Sequence, residues 1–280
     1  MPPTHSLDGD CPPATAVLAF VVVITSRRNP LVQQIRLLHT ARGRRERGEF
    51  LLEGTHLLSE ALNQGVALKQ VCYTSAWAEH HPELLGRLPP GIAQPVSPAV
   101  LEVLATTVHP DGVVAVAPIP TAPSQPLVGW LHLLGNRLQD PGNVGTLIRT
   151  AAAVGVTQFW LTDDSVDPYH PKVLRAAAGQ WFRCPPVVCH DPLAVLQLYR
   201  QQQVQVIAAD AQGDQIYWQV DWRRPTLLLL GNEAQGLPAA WLQVADQVVR
   251  IPQQPGVESL NVAVAAAVCL YEAWRQRWTS

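Results

Sequence analysis

The chain has 280 residues, of which 48% are apolar and 15% are charged, and this composition excludes a wholly disordered polypeptide. The length fits one large domain or two ordinary ones. The five cysteines show no paired spacing, which excludes the common cysteine-based zinc sites and fits reduced thiols in a cytoplasm. The nine histidines show no ligand spacing either, so we expect no bound metal.

The start of the chain carries an apolar run at residues 14–24. This run is too short to span a bilayer, which takes about 20 residues. It also lacks the basic segment and the clear cleavage site of a secretory signal. We therefore expect residues 1–23 to be a leader ahead of the folded chain, with no role in a membrane.

A basic segment follows the leader. Seven arginines against two glutamates give residues 27–49 a charge of +5, which leaves −7 for the rest of a chain whose net charge is −2. A concentrated basic patch on a mildly acidic protein is typical of phosphate binding, although a charge run is also often a solvated helix face. The arginines that we expect to contact RNA are Arg27, Arg28, Arg42, Arg44, Arg45 and Arg47.

The next hundred residues predict a small α/β domain at residues 24–117. Asn29-Pro30 is a helix start, and Leu31, Ile35, Leu38 and Ala41 recur at helical spacing. The predicted elements that follow are a strand at 50–52, a helix from Thr55 to Gly65, a strand at 68–73, a helix from Ser97 and a strand at 113–117. Four prolines between 118 and 126 predict a stiff linker, which we place at 118–129.

From residue 130 to residue 280, apolar strands alternate with helices. Strands are predicted at 131–134, 159–161, 205–209, 226–230 and 248–251, and helices at 144–154, 172–178, 192–202, 239–244 and 261–277. This alternation predicts an α/β domain with a mainly parallel sheet and helices on both of its faces. In such sheets, ligands bind beyond the carboxyl ends of the strands.

Three clusters of polar and small residues follow predicted strands. Residues 136–151 form a loop that opens a helix, where free N–H groups favour phosphate and where Arg149 points to phosphate binding. Residues 231–236 place Glu233 between two glycines, and such a loop admits close approach of a ligand. Residues 251–265 contain Ser259, which we expect to cap the last helix. Each cluster also has a plainer interpretation as a turn, a surface charge or a cap.

Together the three clusters resemble the motifs of the SpoU family, in the SPOUT class of methyltransferases. The matching residues are Asn143-x-Gly145-x-x-x-Arg149-x-Ala151, then Gly231-Asn232-Glu233-x-x-Gly236, and finally Ile251-Pro252 with Ser259-Leu260-Asn261-Val262. The stretches 50–54 and 109–112 are similar to the family's substrate-binding domain, so the resemblance covers roughly residues 24–278.

The resemblance implies a trefoil knot that holds S-adenosylmethionine, a homodimer whose site uses both subunits, and methyl transfer to an RNA ribose 2′-hydroxyl. Its accessory N-terminal domain favours ribosomal RNA over transfer RNA. The residues it implies for the cofactor are Ala209, Leu230, Gly231, Asn232, Gly236, Ile251, Ser259 and Leu260. Those it implies for catalysis are Arg149, Asn143, Glu233, Ser259 and Asn261.

A guanidinium pKa above about 12 makes Arg149 a poor general base, so we interpret it as a phosphate clamp that stabilises developing charge. Two positions depart from the family pattern: the glycine at 256 stands one place later than is usual, and Ala177 replaces a common serine. The alternatives are a non-catalytic RNA-binding protein on the same fold and a Rossmann-type nucleotide enzyme. The absence of a GxGxxG sequence disfavours the second alternative.

Overall fold

A computed structural model describes residues 22–121 and 128–278. Most of the predicted leader and the middle of the predicted linker therefore lie outside the described residues. Within the described residues, no helix is long and apolar enough to cross a membrane.

The N-terminal domain is a four-stranded sheet with helices on both faces. Its elements are α1 (Pro30–Leu37), α2 (Ala41–Arg47), β1 (Glu49–Glu53), α3 (Thr55–Asn63), β2 (Gln70–Tyr73), α4 (Ser75–His80), α5 (Pro82–Gly86), β3 (Ala93–Pro95), α6 (Pro98–Leu104) and β4 (Val113–Pro118). The strand order is β1-β4-β2-β3, with antiparallel pairs except for β2 and β3. Apolar residues of α1 and α6 cover one face, and those of α3 and α4 cover the other.

The helix predicted from Asn29 through Ala41 is in fact two helices. Helix α1 ends at Leu37, and α2 begins after Thr40, whose hydroxyl oxygen accepts a hydrogen bond from the Gly43 N–H at 3.1 Å. A cap of this kind satisfies an N–H at the start of a helix and so favours a new helix there. The short elements α4, α5 and β3 were not predicted.

The C-terminal domain is a seven-stranded parallel sheet. Its elements are β5 (Leu131–Gly135), α7 (Pro141–Ala153), β6 (Gln158–Thr162), α8 (Pro171–Ala176), β7 (Val187–Cys189), α9 (Pro192–Gln201), β8 (Gln205–Ala209), β9 (Gln215–Ile216), β10 (Thr226–Leu230), α10 (Ala239–Val244), β11 (Gln247–Arg250) and α11 (Val262–Trp278). The strand order is β7-β6-β5-β10-β8-β11-β9, and every pair is parallel.

Helices cover both faces of this sheet, as predicted. Alternate residues of the central strands point to opposite faces, so Leu228 packs with α7, α8 and α11 while Leu227 and Leu229 pack with α9 and α10. The predicted fold class is therefore confirmed. The trefoil knot stays a prediction.

The two domains share one hydrophobic core. The ring of Phe50 on β1 lies 5.2 Å from the ring of Tyr169 and 5.2 Å from that of Trp181, both in the C-terminal domain. Nearby, Arg175 pairs with the buried carboxylate of Glu53 at 3.3 Å. These contacts hold the N-terminal domain against the segment that follows β6.

Candidate active site

The carboxyl ends of the central strands meet around one cavity of about 340 Å³. Strand β10 lies between β5 and β8, and β11 lies on the far side of β8. In parallel sheets, ligands bind beyond these strand ends. All eight residues predicted for the cofactor line the cavity, namely Ala209, Leu230, Gly231, Asn232, Gly236, Ile251, Ser259 and Leu260. Their binding of a cofactor stays a prediction.

The loop after β10 needs a glycine at position 231. A Cβ added there would lie 2.6 Å from the carbonyl oxygen of Gly236 and 2.7 Å from the amide nitrogen of Leu237. The loop closes on itself through hydrogen bonds between Asn232 and Gly236, at 3.2 Å from N to O in one direction and 2.8 Å in the other. Gly231 therefore lets two backbone segments pass each other at the wall of the cavity.

Asn232 shapes this loop from within. Its side-chain oxygen accepts hydrogen bonds from the N–H groups of Ala234 at 2.9 Å and Gln235 at 3.1 Å. Its side-chain nitrogen donates to the carbonyl oxygen of Arg137 at 2.8 Å. Arg137 in turn donates from its guanidinium to the side-chain oxygen of Gln235 at 2.8 Å. The loops after β5 and β10 are thus joined by side-chain and backbone contacts.

Three predicted catalytic residues from the three clusters form one hydrogen-bonded row. The side-chain nitrogen of Asn261 donates to the side-chain oxygen of Asn143 at 2.9 Å, and the side-chain nitrogen of Asn143 donates to Oε1 of Glu233. Glu233 also lines the cavity. Residues that are far apart in sequence therefore form a polar row at the mouth of the cavity.

Asn261 caps the last helix, so the prediction that Ser259 does so is wrong. The Asn261 side-chain oxygen accepts hydrogen bonds from the N–H groups of Ala263 at 3.0 Å and Val264 at 3.3 Å. Ser259 lies two residues earlier, where it is exposed and lines the cavity. One asparagine side chain thus caps α11 and orients Asn143.

Arg149 does not join the polar row. It is exposed on α7, it does not line the cavity, and it hydrogen-bonds no side chain among residues 22–121 and 128–278. The structure therefore brings together the predicted catalytic residues except Arg149, which faces outward.

The two departures from the family pattern have different structural consequences. Gly256 has a φ of +89°, a left-handed conformation that favours glycine, in an exposed turn closed by the Val257 N–H and the Gln254 carbonyl oxygen at 3.2 Å. Ala177 is fully buried against α7. The hydroxyl of a serine at 177 would therefore lie within the packing between α7 and α8 rather than against a substrate.

Burial of Arg44 corrects one predicted RNA contact. The Arg44 side chain is 1% exposed, and its guanidinium binds Asp167 at 2.6 Å and the carbonyl oxygen of Leu38 at 2.8 Å. A side chain enclosed in this way cannot reach RNA. The other five predicted arginines, Arg27, Arg28, Arg42, Arg45 and Arg47, are exposed.

Sequence reasoning missed four polar residues that line the cavity: Asp210, Gln212, Gln235 and Gln253. Asp210 directly follows β8, so the rule that ligands bind at strand ends was enough to find it. Gln212 and Gln253 belong to irregular loops that carry no comparable signal. Among the described residues, no cluster of side chains has the composition of a metal site.

Comparison with known proteins identifies the family. The model of the SpoU rRNA Methylase family matches residues 131–271, and that of the MRM3-like substrate binding domain matches residues 29–115. This chain belongs to the SpoU family. An uncharacterized tRNA/rRNA methyltransferase of Synechocystis is 47% identical, over 93% of this chain and 96% of that protein. The 23S rRNA (guanosine(2553)-2′-O)-methyltransferase of Bacillus subtilis is 32% identical, over 89% and 97%.

A solved SpoU structure has the same fold. The methyltransferase AviRb from Streptomyces viridochromogenes, in complex with the cofactor AdoMet, superposes with a TM-score of 0.81 at 32% identity. The match covers 90% of this chain and all of that one. The chain therefore has both domains of the SpoU family proteins that it resembles.

Proposed function

We propose that this SpoU protein transfers a methyl group from S-adenosylmethionine to a ribose 2′-hydroxyl of ribosomal RNA. The observation that carries the proposal is the polar row of Asn261, Asn143 and Glu233 at the mouth of a cavity lined by every predicted cofactor residue. Family relatives named as 23S rRNA 2′-O-methyltransferases support the choice of ribosomal RNA.

The residues of the cavity fit the cofactor. Leu230, Ile251, Leu260 and Val262 offer an apolar wall for a planar base. Asp210 and Glu233 bring carboxylates to the same cavity, and negative charge there favours a cationic ligand. When bound, S-adenosylmethionine supplies a methyl group activated by a positively charged sulfur. The volume of about 340 Å³ lies within the usual range for a small-ligand site.

The polar row positions the acceptor hydroxyl. Oε1 of Glu233 is occupied by Asn143, whereas Oε2 accepts no hydrogen bond from the described residues. We assign Oε2 to accept a hydrogen bond from the ribose hydroxyl. Asn261 keeps Asn143 in the orientation that donates to Glu233, because its own nitrogen already donates to the Asn143 oxygen. Correct placement of two reactants supplies a large part of the barrier reduction in such transfers.

The active unit that we propose is a homodimer. Val264, Tyr271 and Trp278 recur every seven residues on α11 with exposed fractions of 49%, 50% and 74%, which leaves an apolar stripe open on one helix face. Helix α7, which packs against α11, carries the outward-facing Arg149. We therefore assign Arg149 to the site of a second subunit, where it binds an RNA phosphate.

We place the reaction in the cytoplasm. The four cysteines among the described residues are free and buried. Burial raises the pKa of the Cys269 thiol to about 12, so that thiol stays protonated and unreactive at neutral pH. Unpaired thiols are typical of a reducing compartment.

Ribose-methylation mapping tests this function in cells. Ribosomal RNA from a strain that lacks the gene is expected to lose one 2′-O-methyl group, and a plasmid copy of the wild-type gene is expected to restore it. A copy with Arg149→Ala is expected not to restore it, although the variant binds S-adenosylmethionine normally in calorimetry. An unchanged methylation map in the deletion strain contradicts the proposal.

A further inference from the structure

Helix α2 presents two opposite kinds of arginine. Arg44 points inward, where its Nε and Nη2 bind one carboxylate oxygen of Asp167 at 2.8 and 2.6 Å. Arg42, Arg45 and Arg47 point outward and are exposed. Asp167 belongs to the C-terminal domain, in the loop between β6 and α8. One short helix thus carries both a contact between the domains and candidate contacts to RNA.

The Arg44–Asp167 pair has the features of a fixed joint. Arg44 is enclosed, and its third guanidinium nitrogen, Nη1, donates a hydrogen bond to the carbonyl oxygen of Leu38 at 2.8 Å. The second carboxylate oxygen of Asp167 accepts the N–H of Tyr169 at 2.9 Å. Loss of Asp167 leaves the enclosed Arg44 guanidinium without its counter-ion, and loss of Arg44 leaves a partly buried carboxylate without one, so the pair favours one arrangement of the domains.

Further contacts hold the same interface. Arg175 donates to Glu53 at 3.3 Å and to the hydroxyl oxygen of Thr106 at 3.1 Å. The rings of Tyr169 and Trp181 lie 5.4 Å apart and both pack on Phe50. These contacts, like Arg44–Asp167, join the N-terminal domain to residues 167–181. The N-terminal domain is therefore held at several points rather than by its linker alone.

The loop that holds Arg44 is also linked to the cavity, through two side-chain contacts of Arg137. Asp164, three residues before Asp167, pairs with Arg137 at 3.2 Å. The guanidinium of Arg137 donates to Gln235, which lines the cavity. A continuous set of contacts thus runs from α2 through the loop at 163–167 to the wall of the cavity.

We propose that Arg44 is a specificity-determining residue, because it fixes the outward arginines of α2 at a set place relative to the methyl-donor cavity. RNA held by those arginines then presents one particular ribose to the polar row. Arg44 acts through Asp167 and touches neither RNA nor cofactor, so it is a positioning residue. The inference rests on the proposed function.

The test compares where methyl groups are placed. Wild-type protein, Arg44→Met and Asp167→Asn are incubated with S-adenosylmethionine and ribosomal RNA from cells that lack the gene, and every 2′-O-methyl group is mapped. Arg45→Met is the contrast on the same helix, since it removes an outward arginine and leaves the joint intact. Arg87→Met is the matched control, because Arg87 is exposed and pairs with Asn63 inside the N-terminal domain.

Loosening the joint is expected to redistribute methylation. A misplacement of about 1 Å can cost on the order of 100-fold in rate, so Arg44→Met and Asp167→Asn are expected to lose roughly that factor at the wild-type ribose and to methylate neighbouring riboses. Their affinity for S-adenosylmethionine is expected to be unchanged. Arg45→Met is expected to raise KM for RNA at an unchanged position, and Arg87→Met to match the wild type.

Two results would overturn the inference. The first is methylation of the wild-type ribose alone, at the wild-type rate, by both Arg44→Met and Asp167→Asn. The second is a loss of methylation rate at the wild-type ribose in both variants without methylation of any new ribose. If Arg44→Met does not fold, Asp167→Asn carries the test, because it keeps a hydrogen-bond acceptor beside Arg44. A wild-type protein that methylates no ribosomal RNA contradicts the proposed function instead, which keeps the two failures distinct.

Discussion

Replacement of Gly231 by alanine is expected to damage cofactor binding while the fold persists. The new methyl group would lie 2.6 Å from the carbonyl oxygen of Gly236 and 2.7 Å from the amide nitrogen of Leu237. Both obstructing atoms belong to the backbone, so no change of side-chain rotamer relieves the clash. The loop at 231–236 has to move away from the end of β10, and that loop is one wall of the cavity.

The size of the expected loss of affinity follows from the free-energy cost of overpacking, which is typically about 1–3 kcal/mol. If binding of S-adenosylmethionine requires the wild-type conformation of the loop, that cost is subtracted from the binding free energy. The affinity then falls by roughly 5-fold to 150-fold. Thermal stability is expected to change less, because the loop relaxes in the free protein and the buried strand β10 is untouched.

Isothermal titration calorimetry of Gly231→Ala with S-adenosylmethionine measures the affinity directly, and thermal unfolding monitors the fold. Gly86→Ala is the matched control, because a Cβ at Gly86 meets nothing within 4 Å and the residue is exposed on α5. An affinity of Gly231→Ala equal to that of the wild type would refute the placement of the cofactor against this loop.

Three further substitutions probe other parts of the molecule. Asn143→Asp sets a second carboxylate against Glu233, so single-turnover methyl transfer is expected to fall by about 100-fold or more while affinity for S-adenosylmethionine in calorimetry stays within about twofold. Burial lowers the pKa of His132 to about 4, whereas in the unfolded chain it stays near 6.5, so the unfolded state takes up a proton first as pH falls. The free energy of unfolding, measured in urea, is therefore expected to drop by roughly 2 kcal/mol from pH 7 to pH 5, and His132→Phe is expected to remove most of that dependence. Tyr271→Glu charges the apolar stripe of α11 and is expected to yield monomers in sedimentation velocity, in contrast to a dimeric wild type.

The features that the sequence predicted well are those that depend on residues close together in the chain. The run of four leucines from Leu227 to Leu230 marks a strand buried on both faces, and the glycines after it mark a loop of close approach. Because strands of a parallel sheet end at one edge, clusters that follow different strands were expected to meet there. Asn143, Glu233 and Asn261 do meet there, although 118 residues separate the first from the last.

The features that were missed depend on partners far away in the chain. The sequence pattern around Arg44 does not distinguish it from Arg45, and the carboxylate that binds Arg44 belongs to Asp167, 123 residues later. Asn261 rather than Ser259 caps α11 because the helix begins at Val262, although both residue types are good caps. Strands β7 and β9 have three and two residues, too short for an alternating pattern, and they exist because a neighbouring strand offers an edge.

The central claim is that the cavity and its polar row direct methyl transfer to a ribose. The most direct measurement incubates the purified protein with unmodified ribosomal RNA and S-adenosylmethionine that carries an isotopic label on the methyl group, followed by digestion to nucleosides and mass spectrometry. We predict label in a single 2′-O-methyl nucleoside, and a rate of labelling lower by about 100-fold or more with Asn143→Asp. Label on a base, or no label in RNA although the protein binds S-adenosylmethionine, would contradict the account.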